Sequence, residues 1–338
     1  MSAPRQWTAH RPRGEGARRL AAPFRILVLL EDRLTLRLHE LRDALQEDFP
    51  QMDWPDDPAV PDLHFDTVDA PVGVVSCGRA AAPAAITAHR RSDIAWAELL
   101  PRNRLTPVDR LARRLAAAHT HLEIAVTSRG PTLADRLEAA RRATAIAAVF
   151  ADLPIAAGAI QLWSDRVLSP QQTIDLAASA AAGEVPLLDW TLPLLFDHDP
   201  TDEEAGLSSG TTVGLSALLG YELELRQSPE PPGLVIAAIM SVAQELVTGG
   251  VVFRDGGEIA PFGSDAAMHR TRLVPEGVLG NDTDRWSLVH PESAFDDQTI
   301  LGRTLPESPE RGFMGRAMDF LTEGRLSRLA SRSAPGRI

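Results

Sequence analysis

No lysine occurs anywhere in this chain, and all 34 basic residues are arginine. That absence removes Schiff-base catalysis, a lysine general base and the lysine of a phosphate-binding loop. Cysteine is almost as scarce, with Cys77 the single thiol. A disulfide framework within the chain is excluded, a thiolate zinc site is disfavoured, and a reducing, cytoplasmic setting fits. No uninterrupted apolar run reaches bilayer length. The most apolar long stretch, 143–163, is broken by Asp152 and Pro154 and reads as helix, turn and strand. An excess of positive charge is missing too: the formal net charge is −12 and the pI about 5.2. Neither a nucleic-acid nor a membrane partner is expected of such a chain.

What is present suits a globular fold. The 338 residues are 44% hydrophobic and 24% charged, enough for one large domain or two of ordinary size. Residues 1–22 hold five arginines and one acid, Glu15, and read as a disordered leader. "FRILVLLED" (24–32) is a strand. Leu38, Leu41, Leu45 and Phe49 then recur at helical spacing. "PQMDWPDDPAVPD" is a proline-rich loop, "LHFD" and "VGVVSCG" read as two adjacent strands, and 80–93 shows little pattern. "LTPVDRLARRLAAAH" (105–119) closes a first unit as a helix with Thr106 as its cap.

A second unit opens with the strand "HLEIAVTSRG" and a long helix from Pro131, whose apolar face is Leu133, Leu137, Ala140, Ala147 and Phe150 with charges opposite. "AAGAIQLW" is a buried strand. The next helix has legible ends: Ser169 caps, Pro170 takes the first position, Gln172 closes a capping box and Gly183 stops it. "VPLLDWTLPLLF" reads as a strand broken at Pro193, and 233–248 as a helix. "VVFRDGGEIAP" reads as a hairpin turned by Asp255 and Gly256. The expectation is an α+β fold: mixed or antiparallel sheets, helices packed on one face, and two successive strand–helix–strand units. These units run 23–119 and 120–265, as two domains or together as one, with a linker and terminal helix over 266–338.

The order of these elements, and above all Gly214 to Glu224 ("GLSALLGYELE") and Gly250 to Gly257 ("GVVFRDGG"), resembles a bacterial family of unknown function, the one numbered 4261. The resemblance covers about residues 24–262. It implies no established activity and no catalytic residues, and a toxin–immunity or secretion context for the partner.

Candidate sites are few. In "TTVGLSALLGYELEL" (211–225), Thr211, Thr212 and Glu222 could rim a ligand groove beneath Gly214 and Gly220. The alternation favours a half-buried strand instead, with Tyr221, Leu223 and Leu225 inward and Glu222 and Glu224 in water. Asp197, His198 and Asp199 are metal-ligand types. Consecutive side chains on an extended segment diverge, so a solvated acidic loop is favoured. His119 and His121 would share a face on one strand, but His119 reads as the end of the preceding helix and His121 as the opening of the strand. Gly73–Gly78, around Ser76 and Cys77, misses the nucleophile-elbow spacing by one residue, which leaves a buried inert thiol. Gly249, Gly250, Gly256 and Gly257 do not make a phosphate loop.

No cofactor or metal is called for. The expectation is a non-enzymatic binding or interaction protein of the bacterial cytoplasm with a protein partner, and self-association through 310–330. The alternative is a hydrolase-like enzyme working in the groove near Gly214–Gly220, with His121 or His198 and Glu222 as acid and base.

Overall fold

A computed structural model describes residues 14–55, 64–66, 72–75, 82–89, 99, 108–197, 207–249, 253–262, 268–274 and 283–290. Ser76, Cys77, His198 and the 310–330 segment lie outside them. The described residues form two compact units, 21–192 and 193–290, the latter joined by 14–20. The fold is α+β.

The chain begins with α1 (Gly14–Ala21), β1 (Phe24–Leu30), β2 (Thr35–Arg37), α2 (Leu38–Asp48), β3 (His64–Asp66), β4 (Val72–Val75), β5 (Ala84–His89) and α3 (Val108–Ala117). It continues with β6 (Thr120–Val126), α4 (Leu133–Ala151), β7 (Ala156–Gln161), β8 (Arg166–Leu168), α5 (Pro170–Ala181) and α6 (Leu187–Trp190). A six-stranded sheet runs β4-β5-β6-β1-β7-β8, and the pairs along it are antiparallel. Because β6 pairs with β1 along its whole length, residues before and after 119 build one sheet. The two expected units thus share a sheet across 119, and the compact units divide at 192/193.

β1 lies at the sheet centre, and six of its seven residues are buried, with Arg25 the exception. Burial on both faces explains its unbroken apolar run. On one face Leu27, Leu29 and Ile160 pack against Leu111 and Leu115 of α3. On the other, Ile26, Val28, Leu122 and Ile124 are buried as well.

α4 is buried around most of its circumference, so the expected charged outer face is absent. Arg142 is 4% exposed, and its guanidinium donates to the Asp53 carbonyl (3.0 Å) and the Met52 carbonyl. It pairs with Glu138 at 2.7 Å and lies 5.0 Å over the Trp54 ring, which pins the loop after α2 to α4. α5 has the ends expected of it: Ser169 Oγ accepts from Gln172 N at 3.2 Å, Ser169 N donates to Gln172 Oε1 at 2.9 Å, and Gly183 turns out at φ 91°.

Four local expectations need correction. Residues 14–21 of the supposed leader form α1. β3 pairs with β2 and β4 with β5, so "LHFD" and "VGVV" are not neighbours. The alanine-rich stretch that looked patternless contains β5, whose burial alternates strictly. Residues 187–190 are α6, where a strand was expected.

The second unit holds β9 (Leu192–Asp197), β10 (Ser208–Val213), α7 (Ser216–Leu219), β11 (Glu222–Ser228), α8 (Pro232–Val247), β12 (Glu258–Ile259), β13 (His269–Val274) and β14 (Arg285–Val289). Its sheet runs β12-β13-β14-β11-β10-β9 and is mixed, with β11 and β14 parallel. α8 packs on β10 and β11. Asp255 and Gly256 do form a turn, closed by Gly257 N donating to the Arg254 carbonyl at 2.8 Å, with Gly256 at φ 77°. The strand that leaves it, β12, pairs with β13, while Val251 and Val252 of the expected hairpin lie outside the described residues. Asp255 Oδ1 also accepts from Leu273 N at 3.1 Å. Among the described residues, no helix is long and apolar enough to cross a membrane.

Candidate functional site

The stretch 211–225 builds a compact turn between antiparallel strands. β10 ends at Val213, Gly214 turns at φ 102°, α7 makes a single turn, and Gly220 releases the chain into β11 at φ 84°. Both angles are costly for a residue with a Cβ, which is why glycine stands at both ends. α1 comes to this turn as well. A Cβ on Gly16 would sit 2.3 Å from the Gly220 carbonyl oxygen, so only glycine permits that approach.

Glu222 points into this turn. Its Oε1 accepts from Gly214 N (2.9 Å) and Ser216 N (3.1 Å), and its Oε2 from Leu215 N (3.1 Å) and the Thr212 hydroxyl (2.7 Å). The carboxylate satisfies backbone donors that the start of α7 would otherwise leave bare. Glu222 is 2% exposed and Glu224 5%, so the expectation that both glutamates face water is corrected.

The register explains their burial. Glu222, Glu224 and Arg226 share one face of β11, aligned with Arg285, Ser287 and Val289 of β14. Arg226 grips Glu224 with two bonds of 2.6 and 3.1 Å, and Arg285 donates to the Thr211 hydroxyl at 2.8 Å. Burial alone would push the Glu224 carboxyl up. The Arg226 and Arg285 charges and the Ser287 hydroxyl outweigh it and hold the group below its ordinary range. Leu223 and Leu225 face the other way, and Tyr221 stands edge-on to Trp286 at 6.4 Å. Burial pushes the Tyr221 phenol up to about 12.

Chemically, this cluster is a structural ion network. The lone pairs of Glu222 are spent on the chain's own N–H groups, and Glu224 is held ionised between cations. The Glu224 carboxylate is thus not poised to take a proton at neutral pH.

His121 belongs to the other unit, on β6. It lies opposite His89 of β5, and the two rings stack at 4.3 Å with 12° between planes. Glu123, two residues along β6, sits 3.8 Å from His89 Nε2 and 2.6 Å from Arg25. His89 was not foreseen. Its signal was the alternation of β5, masked by alanine. His119 follows α3 and donates its N–H to the Leu30 carbonyl at 3.0 Å. Asp197 ends β9. Among the described residues, no group of three or more His, Cys, Asp and Glu is placed to hold a metal ion.

Compared with known proteins, the chain matches no family model, no curated protein and no solved structure.

Proposed function

We propose that this chain is a non-enzymatic binding module of the bacterial cytoplasm, allied to the family numbered 4261, that engages a protein partner. The observation that carries the reading is the bonding of Glu222. The residue best suited by its motif to act as an acid or base accepts four hydrogen bonds from its own turn. A side chain so committed builds a rigid platform, as recognition surfaces require. The net charge of −12 favours a basic partner. A toxin–immunity or secretion context follows from the resemblance.

A survey of the purified full chain against hydrolytic substrates tests the proposal, with His121→Ala and Glu222→Gln beside it. The expected outcome is no turnover. Turnover that His121→Ala abolishes while the fold persists would establish the hydrolase reading in its place. On the binding side, a partner reconstituted from purified components should bind more weakly as salt rises. Deleting 310–330 and weighing the protein in solution tests self-association, and an unchanged mass removes that element.

A further inference from the structure

Three strands contribute to one polar cluster on the first sheet. His89 on β5 and His121 on β6 face each other across the ladder, stacked at 4.3 Å. Glu123 on β6 bridges Arg25 on β1, at 2.6 Å, and His89, at 3.8 Å. The cluster is open on one side: Arg25 is 45% exposed, His89 39% and Glu123 22%, while His121 is buried at 9%. Among the described residues, the other charged groups on the segments adjoining these strands are Glu31 and Asp32 after β1, His119 before β6, and Arg110, Arg113 and Arg114 on α3. Arg114 is paired with Glu31 at 2.6 Å.

The geometry treats the first and second protons differently. One imidazolium against a neutral ring is attractive, and Glu123 stands beside His89 to meet the charge. Two imidazoliums face to face at 4.3 Å repel, whatever else borders either ring. The repulsion acts directly across the β5–β6 ladder. Among the described residues β4 is the strand beyond β5, so this ladder joins the β4–β5 edge to the rest of the sheet, with α2 also packed on β4.

We propose that the stacked His89–His121 pair is a proton-operated latch, closed with at most one proton and opened by the second, which frees the β4–β5 edge from β6. Opening bares the β6 edge, a surface to which another extended chain can pair.

The test is a ring-resolved NMR titration of the full chain from neutral to mildly acidic pH, with amide exchange followed at Ala85–His89. The two rings should titrate in two steps about one pH unit or more apart. Above the second step, where the opened pair binds a proton that the closed pair does not, exchange at Ala85–His89 should gain about tenfold per falling pH unit over its intrinsic trend, the slope of one extra proton bound on opening, and level off below that step. His121→Phe keeps a ring in the stack and removes the second charge, so its acid-dependent gain should vanish. A common midpoint for both wild-type rings overturns the latch. So does a wild-type gain that persists in His121→Phe, or two steps without any gain. Should His121→Phe not fold, the wild-type titration and exchange decide alone.

Discussion

Replacing Glu222 with Gln changes one atom in a side chain that accepts four hydrogen bonds. Both carboxylate oxygens accept from backbone N–H groups: Oε1 from Gly214 and Ser216, Oε2 from Leu215. Whichever way the new amide turns, its NH₂ confronts at least one N–H with nothing to accept it. At 2% exposure water cannot repair the loss. One orphaned buried donor costs about 1–3 kcal/mol. The surviving bonds also fall from charge-assisted to neutral, losing about 1 kcal/mol more. The expected cost is therefore about 2–4 kcal/mol, a large part of a typical domain's stability. Amide exchange at Gly214–Ser216 is the assay of choice, with denaturant unfolding alongside, because two compact units need not unfold together. A change below about 0.5 kcal/mol, the level of an ordinary surface substitution, would refute the assignment of Glu222 as the internal cap of this turn.

Three further outcomes follow from the packing of Tyr221, Glu224 and Arg142. Tyr221 is the chain's single tyrosine, so its phenolate absorbance reports one site, and the step should centre at about 12. Stability from that buried phenol is intact below its ordinary value of 10.0 and lost as pH rises above it, and a step centred near 10.0 would contradict the packing against Trp286. Glu224→Gln leaves the Arg226 and Arg285 charges without their shared counter-ion and should cost about 3 kcal/mol at neutral pH. Because the Glu224 carboxyl is held below its ordinary 4.5, its contribution is complete above that pH and fades on acidification. Denaturation curves of wild type and Glu224→Gln should thus converge in acid, and parallel curves at every pH would count against the network. Arg142→Lys keeps the charge but not the planar fork that serves two carbonyls, and should cost about 2 kcal/mol, with Trp54 fluorescence reporting a loosened loop. An unaltered unfolding curve would show that the loop is held by other means.

Interactions that close within a few residues were legible beforehand. The α5 ends and the turn at Asp255 and Gly256 each depend on partners one to four positions apart, so the residue types alone imply the geometry. The α+β class was legible for the same reason: strand and helix periods are local properties. Strand partners were not. β12 takes β13 as a partner, and β5 hid behind alanine, whose small side chain weakens the alternation it follows.

Glu222 and Glu224 show where such reading stops. Their alternation with Leu223 and Leu225 correctly marks a strand with two unlike faces. Whether the polar face meets water depends on Arg285 and Ser287, about sixty positions away, which β14 lays beside it. His89 and His121 are likewise joined by strand register across 32 positions. The amino-acid order by itself settled period, caps and turns, since those energies act between near neighbours. Which charges are buried, and which rings touch, was decided by sheet register, because burial is a property of everything that surrounds a side chain.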